Sequence, residues 1–362
     1  MNERGASSGG YMWLCKRRYM NKDVIADRYA RLYELPELLA QDRAVTSVCL
    51  DYKGGAGEVN AQPGHRARWY SWGLARWLWR LPALVREQRP TVIIASSDCL
   101  HVIAGALLAR LYSIPFFADL YDDYESLGMA KLPGVRLFYR KALKHASGII
   151  AVSEPLAEMI QSEFPGKPVL VLESTIDKSV FFPRAHEESR ELLKLPAGPL
   201  IGAFGALNPK RDIGTLYTAF EAIRQRHPTA RLVLAGTPAG IPVPRDEGVV
   251  FLGAVAHEQM PLLFSAMDVA VITMADSSFG YYAFPQKAYE MLACRIPMVV
   301  ADVGALGRLF DSCEHMTYAP GDRDSLVSAI AGQIETPQLN TTEIPDWRGQ
   351  AQRLAVFIEA NA

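Results

Sequence analysis

Two groups of residues in this 362-residue chain carry side chains suited to chemistry. The first is Asp119-Leu120-Tyr121-Asp122-Asp123-Tyr124-Glu125, four carboxylates within seven residues, directly after the apolar run Phe116–Leu120. Carboxylates this crowded repel one another unless they are solvated, paired or used. An acidic turn that caps helices is the plain alternative. The chemical reading is a general base whose pKa crowding raises, with Asp122 the first candidate and Asp119 the second. The second group is Lys287 and Glu290, three apart on an expected helix that Pro285 opens and Arg295-Ile296-Pro297 closes. A carboxylate there can accept two hydrogen bonds from a ribose diol, and an ammonium can neutralise phosphate. An ordinary solvated Lys–Glu pair fits the spacing equally well.

The elements that position these groups alternate. Val269–Thr273 reads as a buried strand, the small-residue loop around Gly280 follows, and a helix and the strand Met298–Ala301 complete a βαβ unit. Its loop and helix N-terminus lie where open α/β sheets bind ligands, and they favour an anion. Gly236-Thr237-Pro238-Ala239-Gly240 is another strand-end loop, expected to approach a base. Towards the N-terminus, strand Tyr11–Cys15 leads into the basic loop Lys16-Arg17-Arg18-Tyr19-Met20-Asn21-Lys22, and Asp23 is expected to cap a helix reaching Gln41. No glycine fingerprint follows that first strand, which disfavours a dinucleotide-binding dehydrogenase. Asp98, after strand Thr91–Ala95, is expected to cap the next helix.

The pattern gives domains at 1–185 and 198–340, joined by a charged, proline-punctuated linker, and a terminal helix at 341–362 anchored by Trp347. His65–Gln88 is expected to be helical and holds four of the six tryptophans. Trp69, Trp72 and Trp79 interleave with Arg68, Arg76 and Arg80 on one projected face. That mixture suits peripheral contact of 65–81 with an anionic membrane, or stacking against a neighbouring loop or subunit.

Composition narrows the function. With 49% apolar and 21% charged residues the chain can bury large cores, and a net charge of −1 argues against nucleic acid as a partner. Five scattered cysteines read as reduced thiols of a cytoplasmic protein, and no histidine or cysteine spacing suggests a metal. Met1–Gly10 lacks the apolar stretch of a signal peptide, so the expected place is the cytoplasm, extending to the inner face of the cell membrane.

Pro285-x-Lys287-x-x-Glu290-Met291-Leu292-Ala293-Cys294-x-x-Pro297-Met298-Val299-Val300 resembles the signature helix of family 4 retaining glycosyltransferases, in the P-x-K-x-x-E form found among bacterial members. The resemblance covers nearly the whole chain. It implies a GT-B fold: α/β, two Rossmann-like parallel-sheet domains facing across a cleft, with the C-terminal helix crossing back to the first domain. Glu290 matches the second glutamate of the family's E-x7-E pair and would hold ribose, while Tyr282 stands at the first. In the loop Gly205-Ala206-Leu207-Asn208-Pro209-Lys210-Arg211, Arg211 matches the cation that faces the diphosphate, Ala206 replaces the usual arginine, and Lys210 compensates. The acidic loop would line the acceptor side with Arg17, Arg18 and Asp98. The implied activity is transfer of a sugar from a nucleotide diphosphate sugar to a lipid-linked or saccharide hydroxyl, without a cofactor or metal, in bacterial surface polysaccharide or glycolipid assembly. A degenerate, non-catalytic protein of the same fold, suggested by Tyr282 and Ala206, is the alternative.

Overall fold

The computed structural model describes residues 10–20, 22–53, 64–126 and 128–362. The chain divides into two compact units: residues 1–175 with 345–362, and residues 176–344. Residues 176–185 thus travel with the second unit, and the terminal helix Trp347–Asn361 with the first.

The first unit is built on a seven-stranded sheet. Its order from edge to edge is Arg68–Trp72, Val45–Leu50, Tyr11–Lys16, Val92–Ser96, Phe116–Leu120, Gly148–Ala151 and Val169–Val171, and every pair is parallel. Apart from the edge strand Arg68–Trp72, these strands are mostly apolar because helices cover both faces of a parallel sheet. The chain starts in a central strand, runs to one edge, then returns past its start to build the other half. The order therefore reverses between Tyr11–Lys16 and Val92–Ser96, and loops leaving those two strands diverge to opposite faces.

The second unit repeats the logic with six parallel strands. Their order is Val249–Phe251, Arg231–Pro238, Leu200–Leu207, Val269–Ile272, Met298–Ala301 and Thr317–Tyr318. Here the reversal falls between Leu200–Leu207 and Val269–Ile272.

Three sequence expectations are corrected. The helix expected from Asp23 begins only at Arg31 and ends at Leu39, because Arg18–Tyr19 pairs antiparallel with Lys22–Asp23 as a small hairpin. Asp23 instead accepts from the N–H groups of Ile25 and Ala26 at 3.0 and 2.9 Å, a turn rather than a helix cap. The continuous helix expected from His65 is an edge strand, Arg68–Trp72, followed by a helix, Leu74–Gln88. Trp69 and Trp72 are therefore buried and form no exposed face with Trp79. The indole N–H of Trp69 donates to buried Glu37 at 2.7 Å, and its ring stacks on Tyr33 with centroids 5.6 Å apart.

Candidate functional site

The donor-side candidates meet at the reversal point of the second sheet. Strand Leu200–Leu207 runs beside Arg231–Pro238 with Gly205 opposite Gly236. Gly236 has φ +146°, and a Cβ there would lie 1.6 Å from the Gly205 carbonyl oxygen. Only glycine permits this approach, so the two strand ends form a bare backbone platform. Gly205, at φ +117°, abuts Lys287: a Cβ on it would sit 3.5 Å from the lysine Cε. Lys287 Nζ lies 3.5 Å from Glu290 Oε2. Glu290 is 5% exposed, which removes the reading of a solvated surface pair. Its helix, Lys287–Ala293, is only seven residues long, so the charges of the side chains outweigh its weak N-terminal dipole.

Lys210 and Arg211 extend the same edge. The strand leads into a short 3₁₀ turn, Pro209–Arg211, which the Asn208 side chain caps by accepting from the Arg211 N–H at 3.2 Å. The Lys210 carbonyl accepts from the Ala275 N–H at 3.2 Å, joining this turn to the loop after Val269–Ile272. Phe279 presents its ring to both cations, 5.5 Å from Lys210 Nζ and 5.2 Å from Arg211 Cζ. Phe279 went unnoticed in the sequence, although it sits in the loop singled out for binding. That loop closes as a short helix, Ser278–Tyr282, capped by Ser277, and Gly280 has no space for a side chain because a Cβ would lie 2.3 Å from the Ala275 oxygen. Gly304 packs as tightly on Tyr281, next to Tyr282: a Cβ there would lie 2.0 Å from the Tyr281 oxygen.

In the first unit, Asp119 and Asp122 part company. Asp119 is 1% exposed, and Arg31 Nε reaches its two oxygens at 3.0 and 3.1 Å. Ser96 Oγ donates to it at 2.7 Å. Arg31 in turn donates to the Leu172 carbonyl, so the pair ties helix Arg31–Leu39 to strand Phe116–Leu120 and to the chain just after Val169–Val171. A carboxylate so engaged has a structural role, and the expectation of Asp119 as a base gives way to Asp122. Asp122 is half-buried, with one oxygen accepting from the Asp123 N–H at 2.8 Å. Glu125, also of the acidic loop, is bound by Arg136 and Arg140, each at 2.6 Å.

Asp98 caps helix Cys99–Tyr112, accepting from Leu100 and His101 N–H groups. Its carboxylate also meets His101 Nδ1 at 2.8 Å and the Tyr52 hydroxyl at 2.7 Å. Burial alone would raise its pKa, but the imidazole and these hydrogen bonds outweigh burial and hold it down at about 2. Arg17 is buried and clamps the hairpin, its Nε 2.8 Å from each Asp23 oxygen, whereas Arg18 is exposed. Neither arrangement singles out an acceptor contact for these two arginines.

Lys16 was missed. It ends the first strand at the reversal point, opposite the start of the Asp98 loop. Its ammonium stands 5.5 Å from the Tyr19 ring and 5.3 Å from the Tyr121 ring. Burial pushes its pKa down, against the opposing pull of Asp98 and Asp122. Ser97, buried and at φ +99°, accepts from the Lys16 N–H at 3.0 Å, and this strained backbone costs about 1–3 kcal/mol wherever it is kept. Position was the available signal: the last residue of a central strand next to a reversal. Among the described residues no group of His, Cys, Asp or Glu is placed to hold a metal ion.

A cavity of about 400 Å³ in the second unit, lined by Arg190, Asp268 and Gln333, is at the opposite, amino end of the strands. Arg190 there pairs with Asp268, which also accepts from the Leu200 N–H, so this pair anchors the sheet.

Residues 30–173 match the family model described as "Glycosyl transferase 4-like domain", and residues 198–335 match "Glycosyl transferases group 1". Each of the two units thus holds a domain that matches a glycosyltransferase family model, and the fold is of the GT-B class. Among its relatives, a Bacillus subtilis protein named as a teichuronic acid biosynthesis glycosyltransferase, TuaC, is 25% identical over 67% of this chain and 61% of its own length. The D-inositol 3-phosphate glycosyltransferase of Rhodococcus erythropolis is 26% identical over 49% of this chain and 42% of its own. The chain thus spans less than two thirds of the length of either relative. Of the solved structures, sucrose-phosphate synthase from Thermosynechococcus elongatus superposes with a TM-score of 0.69 at 18% identity, over 98% of this chain and 94% of the other. Anabaena HepE in complex with UDP gives 0.69 at 16% identity, over 97% and 95%. At these identities the structures establish the shared fold.

Proposed function

We propose that this protein transfers a sugar from a nucleoside diphosphate sugar to an acceptor hydroxyl with retention of anomeric configuration. The observation that carries the proposal is the near-buried Lys287–Glu290 pair, set against the Gly205–Gly236 platform at the reversal point of the second sheet. The platform lets a ligand approach the backbone closely. Glu290 would then accept hydrogen bonds from the ribose diol, and Lys287, Lys210 and Arg211 would face the diphosphate. As the glycosidic bond breaks, charge builds on the leaving phosphate, and preorganised cations stabilise it there without reorganisation. In retaining transfer the acceptor attacks from the face the diphosphate leaves, so the phosphate itself can take the acceptor proton. Asp122, with Lys16 and Asp98 nearby, would orient that hydroxyl or share in removing its proton. These cations belong to the chain, and the scheme calls on no metal or cofactor.

A relative named for teichuronic acid biosynthesis and a solved neighbour holding UDP support a nucleotide donor and a role in bacterial surface polysaccharide or glycolipid assembly. A lipid-linked or saccharide acceptor at the inner face of the cell membrane belongs to the same reading.

The test is a thermal-shift panel of nucleoside diphosphates and their sugars, followed by product analysis with the best donor. A rise in unfolding midpoint with at least one nucleoside diphosphate is expected. If none shifts the midpoint, the donor site has been misplaced. A shift with no transfer to any acceptor would instead favour a binding protein of the same fold.

A further inference from the structure

Three helices of the first unit, Leu74–Gln88, Cys99–Tyr112 and Val135–His145, share one face of its sheet. The topology requires it, because from Arg68–Trp72 onwards the chain moves in one direction across the sheet and right-handed crossovers then stay on one side. Phe116 and Phe117 confirm the sidedness. A Cβ on Gly105 would lie 2.7 Å from the Phe116 ring, whereas Phe117 packs on Phe357 of the terminal helix, 5.9 Å between centroids. Adjacent strand residues point to opposite faces, so Cys99–Tyr112 and the terminal helix lie on opposite sides. The Tyr112 hydroxyl donates to the Pro82 carbonyl at 3.1 Å, tying the first helix to the second, and the second packs on the third.

The outer surface of this layer is apolar and basic. Leu78, Trp79, Leu107, Leu111, Leu137 and Phe138 are all exposed, Trp79 at 76%, Leu111 at 66% and Phe138 at 57%. Packing on the sheet does not call for them, since the same helices cover it with Trp77, Leu81, Leu108 and Leu143. On the same helices stand exposed Arg76, Arg86, Arg110, Lys141 and Lys144, while Arg136, also exposed, is paired with Glu125. Within the three helices the acidic residue is Glu87 alone. In a chain of net charge −1, so local a basic excess marks a surface built to meet negative charge.

We infer that this helical face docks on an anionic lipid bilayer. Indole, phenyl and leucine side chains enter the boundary between headgroups and acyl chains, while arginine and lysine heads stay with the anionic headgroups. The inference stands on the helices alone and is independent of the proposed transfer. A second copy of the chain is a poor occupant, because a two-fold contact would set this basic surface against itself.

The experiment is cosedimentation of the full chain with two sets of vesicles, phosphatidylcholine alone and phosphatidylcholine with about one third phosphatidylglycerol, each at low and high salt. Binding to the anionic vesicles at low salt is expected, with partition about tenfold or more lower on neutral vesicles or at high salt. A Trp79→Ser, Leu111→Ser variant and a Lys141→Glu, Lys144→Glu variant should each lower the partition about tenfold, since each removes a share of the apolar or charged contact. All four positions are exposed, so unfolding midpoints should match the parent. Absence of binding to anionic vesicles at low salt overturns the inference, as does binding that both variants retain. A dimer in sedimentation velocity that the same variants dissolve would also overturn it, by making the face a self-interface.

Discussion

Lys16 stands in a setting that disfavours its charged form, and this has a measurable cost. Its pKa is lowered mainly by burial, so between its folded and unfolded values the folded chain holds fewer protons than the unfolded chain. Stability then rises with pH through that window. Lys16→Met should raise the unfolding midpoint at neutral pH, an advantage that closes as pH climbs towards the ordinary lysine value of about 10.4. The same variant should lose transfer activity, and retained activity would remove Lys16 from the acceptor site. Asp119 and Asp122 call for contrasting outcomes. Asp119→Asn strands the buried Arg31 guanidinium and should cost about 3–5 kcal/mol in denaturant unfolding. Asp122→Asn should leave stability nearly unchanged and lower turnover while donor affinity holds. Glu290→Gln should weaken nucleoside diphosphate binding by about 1.5–3 kcal/mol in calorimetric titration, the worth of a charge-assisted hydrogen bond. Unchanged affinity would end its assignment to the ribose.

Elements differed in how plainly their residues announced them. The strands flanking the donor site were readable because Leu200–Phe204, Val269–Ile272 and Met298–Ala301 are short, apolar and bounded by turn residues. Arg68–Trp72 was not, since an Arg-Trp-Tyr-Ser-Trp strand mixes polar and aromatic residues and merges with the helix just after it. The mistaken helix turned two core tryptophans into an imagined surface. Likewise, Asp119 and Asp122 look equivalent in sequence, and only the partner Arg31, 88 positions away, separates them. The cysteines show the same limit: Cys15 and Cys49 seem scattered, yet strand register brings their sulfurs to 3.6 Å. At this scale Gly236→Ala is the sharpest test of the platform. Its Cβ would collide with the Gly205 carbonyl, so the variant should unfold at a clearly lower temperature. An unaltered midpoint would mean that the strand ends are looser than described.

At the scale of the molecule, the two units differ in how the chain builds them. Residues 176–344 form the second unit without interruption, whereas the first needs residues 345–362 as well. The terminal helix packs on Arg31–Leu39, and Gln350 Nε2 donates to the Glu173 carbonyl at 2.9 Å. Removal of residues 345–362 should therefore destabilise the first unit and expose Phe117 and Gly148 beneath Phe357, while the second unit keeps its nucleotide-dependent thermal shift. Scanning calorimetry should then resolve two transitions, one of them lowered. This arrangement has a consequence for biosynthesis. Domains emerging from a ribosome usually fold in the order in which they are made. Here the half made first must wait, one face of its sheet covered only in part by Arg31–Leu39, until its neighbour has been synthesised and the last helix is released. The nascent protein thus passes through a stage in which the later half is finished and the earlier one is not, when chaperones that bind exposed apolar surface would find their target on the N-terminal side.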